Sequence, residues 1–187
     1  QFTPLFRRFL ARIIYKYLDQ EKMKALYNRA MHYYEDKKNY FAALKFADLL
    51  KNREQIALQI DRLLSQKLGY DVFLSLEEYC LHLSDVYLEE YPRLVMAKAM
   101  LQAMEGDLPA FRKCEQFLNR MLENCLPEKG RQIRKCQLFL KLIGPGGMTP
   151  ELLEEAQELA DQVYTSVDVM WDQLLVPGQI SILHGDK

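Results

Sequence analysis

The chain has 187 residues, 49% of them hydrophobic and 27% charged, with a net charge of −1. This composition suits a globular protein that buries its own core without a metal or disulfide staple, and the near-zero charge speaks against dominant binding to nucleic acid or an anionic membrane. No apolar run approaches the ~20 residues of a membrane span, and no signal peptide opens the sequence, so a cytoplasmic protein is expected; Gln1 in place of Met fits a piece excised from something longer.

Pro4 stands where a first helical turn tolerates it, and Leu5, Phe6, Phe9, Leu10, Ile13, Ile14 and Tyr17 follow at helical spacing. Arg7, Arg8 and Arg12 share the opposite face and read as a solvated surface. Asp19 is placed to cap the next helix, which should run to about Asp36 with Leu26, Ala30, Tyr33 and Tyr34 on one face. Four polar residues, 36–39, interrupt that pattern. Asn39 then caps a second stripe of Tyr40, Ala43, Leu44, Ala47 and Leu50. So short a polar turn between two amphipathic helices folds them into an antiparallel hairpin, and the small residues Ala30, Ala43 and Ala47 allow close approach.

Asn52 and Gln55 have capping-box spacing ahead of Ile56, Ile60, Leu63 and Leu64, and Gly69 reads as the end of that helix. A shorter helix is expected over 72–83 with Phe73, Leu76, Tyr79 and Cys80, then a brief turn opened by Ser84 or Asp85. Pro92 begins a helix rich in apolar residues that Gly106-Asp107 breaks, and Pro109 starts its partner with Phe111, Phe117, Leu118 and Leu122 inward. After Pro127 a helix is expected from Arg131 to Leu142, then a loop at 144–147 and a helix from Thr149 to about Tyr164. The end, from Val176, reads as a turn and an extended segment.

Breaks at Lys38, Gly69, Gly106 and Gly144 recur at intervals of 31, 37 and 38 residues, with a helix on each side. An irregular period in the thirties predicts an all-α fold, an α-α superhelix of tetratricopeptide-like hairpins with eight to ten helices in a right-handed array.

The residues Leu26, Ala30, Tyr34, Asn39, Tyr40, Ala43 and Leu44 fit the pattern L-x-x-x-A-A-x-W-[YF]-x-x-x-G-[DN]-Y-x-x-A-[IL] without a gap, with Met31, Tyr33 and Lys38 in place of its alanine, tryptophan and glycine. Residues 4–10 fit H-P-L-F-R-x-F-L, and Pro92, Arg93, Leu94, Ala99 and Gly106 fit P-R-L-x-x-x-x-A-x-x-x-x-x-x-G. Phe111 stands where an alanine is preferred, and residues 181–185 are similar to P-S-x-L-x-G with its proline displaced. On these residues the chain resembles the internal helical segment of MalT-like, LuxR-family bacterial transcription regulators. The resemblance implies that residues 1–20 end a winged-helix-like linker element and that 21–187 are part of a tetratricopeptide-like domain. It also implies a non-catalytic sensor or relay role between an upstream ATPase module, which would carry ATP, and a downstream DNA-binding domain. Neither GxxxxGK[ST] nor a closing helix-turn-helix is present in these residues, so no cofactor and no direct nucleic-acid contact are expected of this segment itself. The alternative is a free-standing tetratricopeptide-like adaptor for a protein partner.

The remaining polar groupings favour surface over chemistry. Glu77-Glu78 and Glu89-Glu90 are adjacent pairs that diverge on a helix, whereas acid–base partners must converge. Glu151, Glu154, Glu155, Glu158 and Asp161 form an acidic stripe, read as solvated or as a docking strip for a basic partner. Lys129, Arg131, Arg134 and Lys135 form a basic patch without interleaved aromatics, read as a solvated face with phosphate binding as the alternative. Cys80, Cys114, Cys125 and Cys136 contain no CxxC and lie far from His32, His82 and His184, so they read as small hydrophobes in a reducing compartment rather than metal ligands. Glu78 and His82 read as a surface contact, and no HExxH, GxSxG or DDxxD-like motif occurs, so no enzyme activity is expected. The one candidate site is a groove on the helix that begins at Pro92. Steps of 3, 4 and 4 place Arg93, Met96, Met100 and Met104 on one face, and thioethers beside a guanidinium suit a small molecule or peptide with an apolar body and an anionic end. The competing reading is that these methionines fill the core.

Overall fold

The structure is a computed structural model that describes residues 3, 19–66, 70–123, 125–143, 149–152 and 154–155. It is all-helical, with nine helices and no strand among the described residues. They divide into two compact units, residues 1–56 and 57–187. The expected helix over 4–17, the Gly69 and 144–147 breaks, most of the helix after Thr149 and the end from Val176 lie outside the described residues.

The first unit contains a helical hairpin. Helix α1 (Gln20–Asp36) begins at Asp19, whose Oδ1 accepts from the Lys22 backbone N–H at 2.8 Å. Helix α2 (Tyr40–Leu49) begins at Asn39, whose Oδ1 accepts from Ala42 N–H at 3.1 Å. Ala43, Leu44 and Ala47 of α2 are fully buried, as the stripe requires. The opposing face of α1 keeps the expected Ala30 and Tyr34, both half-buried, but not Leu26 and Tyr33. Met31 is its buried residue, while Tyr33 is 58% exposed and Leu26 is exposed as well. The cause is Phe46 on α2, which stacks on Tyr34 at 5.6 Å and 14° and meets Tyr27 at 6.1 Å, turning the 27/31/34 line of α1 inward.

The turn between α1 and α2 is one instance of a joint that recurs. Lys38 lies in the left-handed region at φ 55°, its N–H donates to Glu35 O, and Asn39 N–H donates to Tyr34 O. This is a Schellman closure followed at once by the cap of the next helix. The same pair of bonds closes α2 at Lys51, φ 53°, before Asn52, which caps helix α3 (Arg53–Leu64) through Gln55 N–H. Further on, Gly106, φ 79°, and Asp107 repeat it.

In the second unit, helix α4 (Tyr70–Leu74) and helix α5 (Glu77–His82) replace the single helix expected over 72–83. Ser75 separates them: its hydroxyl donates to Val72 O at 2.6 Å, and Leu76 N–H bonds to Phe73 O, a tight closure that ends the first segment. Helix α6 (Asp85–Leu88) is a single turn before Tyr91. Helix α7 (Pro92–Glu105) has Pro92 in its first turn and is buried at Leu94, Val95, Met96, Ala97, Ala99 and Leu101. Those positions surround the axis, and α7 accordingly packs against α5, α6, helix α8 (Leu108–Glu123) and helix α9 (Pro127–Ile143). It is the core helix of this unit. α8 buries one face only, Phe111, Cys114 and Leu118, while Phe117 and Leu122 are half-buried. α9 starts a turn earlier than expected because Pro127 serves as its first residue, and it buries Ile133, Cys136, Phe139 and Leu140. Thr149 Oγ1 accepts from Leu152 N–H, the start expected there.

Candidate functional site

Arg93 is the second residue of α7, and its side chain reaches α3. Nε donates to Asp61 Oδ1 at 3.0 Å and Nη2 to Oδ2 at 2.7 Å, a two-pronged pair that matches guanidinium to carboxylate geometry. With the Gln132 amide turned so that its oxygen faces the guanidinium, that oxygen accepts from Nη1 at 2.6 Å and Nη2 at 3.3 Å. One cation therefore holds three helices, α3, α7 and α9. The side chains of Arg93 and Asp61 are only 20% and 13% exposed.

The other three residues of the expected groove lie along a gradient. Met96 is 6% exposed, Met100 is half-buried and Met104 is 50% exposed. Arg93 is committed to Asp61, and Met96 lies in the core because α7 is packed on several sides. The four residues thus do not form one open face. The residue that spacing does not single out is Asp61, a carboxylate beside the stripe residues Ile60, Leu63 and Leu64. A charge on a buried stripe calls for an opposite charge from another element.

A concave site lies instead beside the α8–α9 connection. It is a cleft of about 590 Å³ whose lining includes Phe117, Met121 and Leu126 together with Arg120 and Lys129. The Arg120 guanidinium lies 5.2 Å from the Phe117 ring centre. Lys129 Nζ donates to the backbone oxygen of Glu89 at 3.0 Å, and Glu89 and Cys125 also line the cleft. Cys125 Sγ donates to Leu122 O at 3.3 Å. Of the basic patch read from the sequence, Lys129 faces this cleft. A second cleft, about 280 Å³, includes Arg112, Glu115 and Lys141, with Gln137 donating to Asn119 Oδ1 at 2.7 Å.

Cys80, Cys114 and Cys136 are buried thiols. Burial pushes Cys80 up to about 12 and Cys114 up to about 11, with Lys98 pulling slightly the other way, so both stay protonated and unreactive at neutral pH. Among the described residues no group of three or more His, Cys, Asp or Glu is placed to hold a metal ion. No helix among them is long and apolar enough to cross a membrane.

No family model, no curated protein and no solved structure matches this chain.

Proposed function

We propose that this chain is a non-catalytic helical relay segment of a MalT-like, LuxR-family transcription regulator, built as successive tetratricopeptide-like hairpins in a superhelix. It would couple the binding of an effector or partner to an ATPase module and a DNA-binding domain that lie outside these residues. The observation that supports this reading is where the resemblance falls. The pattern's glycine corresponds to Lys38, which takes the left-handed conformation that glycine adopts most readily, and its next polar residue, Asn39, is the observed cap. In the second matched stretch, Pro92 opens α7, Ala99 is fully buried, and Gly106 closes the helix in the same left-handed form. Packing alone can select apolar residues. Agreement at conformationally special positions, in residue at Asn39, Pro92 and Gly106 and in backbone conformation alone at Lys38, is more demanding.

The reading is tested by sequencing the gene on both sides of this segment. A P-loop upstream and a helix-turn-helix downstream in the same frame would support it. A frame that lacks both would leave the adaptor instead. In a full-length regulator, Arg93→Ala should alter the inducer response in a transcription reporter, because the three-helix clasp it forms lies within the relay.

A further inference from the structure

The cleft beside the α8–α9 connection has features that packing does not require. Leu126 is 77% exposed at its edge, and with Phe117 and Met121 it leaves an apolar wall facing water. At about 590 Å³ the cleft is within the range of small-molecule sites, roughly 300–1,000 Å³. Two cations reach it from different helices. The Arg120 guanidinium carbon lies 5.2 Å from the Phe117 ring centre, a cation–π contact that holds the group at the cleft without using its N–H donors on an acceptor. The Lys129 ammonium uses one donor on the Glu89 backbone oxygen, which fixes its position while two donors remain. Among the described residues Glu89 is the one acidic liner, so their charged side chains sum to a single positive charge.

From this arrangement we infer that the cleft binds a small organic carboxylate, a monoanion whose aromatic or aliphatic body lies against Phe117, Met121 and Leu126 while its carboxylate accepts from Arg120 and Lys129. An apolar body removes the exposed wall from water, and a carboxylate matches the planar fork of Arg120. A second anionic group would exceed the charge available and meet Glu89. This inference rests on the cleft alone, and its failure would leave the regulator reading standing.

The test uses the whole chain and two probes of one shape, 2-naphthoate and its neutral counterpart 2-naphthylmethanol, by titration calorimetry. The acid should bind at least about tenfold more tightly than the alcohol, and Arg120→Gln should remove that advantage. Arg120 is exposed, so the variant should keep its helicity, which circular dichroism will check. Cys125 gives a second readout that needs no substitution: bound naphthoate should slow its alkylation by iodoacetamide, and the alcohol should do so only at higher concentration. Equal affinity for acid and alcohol, an acid preference unchanged in Arg120→Gln, or unprotected Cys125 at saturating naphthoate would each overturn the proposal.

Discussion

Arg93 closes on Asp61 with both arms of its fork, Nε to one carboxylate oxygen and Nη2 to the other, across 32 residues of sequence. Since neither side chain is freely hydrated, removing one partner strands the other charge in a site that cannot solvate it fully. Arg93→Ala or Asp61→Ala should each cost about 2–4 kcal/mol in urea unfolding, discounted slightly for the remaining exposure. The apolar pair Asp61→Leu with Arg93→Met should recover most of that loss. Single substitutions that cost less than about 0.5 kcal/mol would place this pair with ordinary surface ion pairs.

The left-handed lysines carry a conformational cost that glycine does not. Lys38→Gly and Lys51→Gly should each raise stability by about 0.5–1 kcal/mol, read as a higher thermal midpoint. Gly106→Ala should lower it by about 1 kcal/mol. A methyl there meets no atom within 4 Å, so the whole effect is backbone strain. Opposite signs at these positions would refute the shared joint.

The buried thiols set an alkaline limit. A thiol ionises near 9 when exposed but only near 12 at Cys80 and 11 at Cys114. Their stabilising effect is fully present below pH 9 and is lost as pH rises toward 11–12, because the unfolded chain releases those protons first. Stability should therefore decline above pH 9, and Cys80→Ala should flatten the decline even while lowering stability at pH 7. An unchanged slope in that variant would contradict the assignment.

Gly130 and Cys125 should behave as a coupled pair. A methyl on Gly130 would lie 3.2 Å from Cys125 Sγ and 3.7 Å from Leu122 Cδ1. In the native background, crowding should offset the helix-propensity gain of Gly130→Ala and leave stability nearly unchanged. With Cys125→Ala also present, the same change should stabilise α9 by about 0.5–1 kcal/mol. Additive effects would show that the thiol gives way freely.

The helical class and most helix starts were legible because caps and proline act locally: Asp19, Asn39, Asn52 and Pro92 each do what their residue type predicts. Orientation was less legible. On α1 the expected Tyr34 does face the partner helix, but Phe46 pairs it with Tyr27 rather than Tyr33, a choice made by a neighbouring helix and invisible in periodicity. The groove on α7 met the same limit. A stripe of methionines has the same spacing whether it faces solvent or four other helices, and the partner of Arg93 lies on an element that local spacing does not connect to it. The cleft at Arg120 was missed because it combines α8 with residues after its end, two short stretches with no shared motif.

The recurring left-handed joint has a bearing on how this sequence can change. Lys38-Asn39, Lys51-Asn52 and Gly106-Asp107 each use one residue to stop a helix and the next to start another, with no residue to spare. A single insertion there would enter the next helix as a turn of about 100° and rotate its apolar stripe away from its neighbours. Substitutions at these joints should be tolerated and changes of length should not. Natural variation in length belongs elsewhere in the chain.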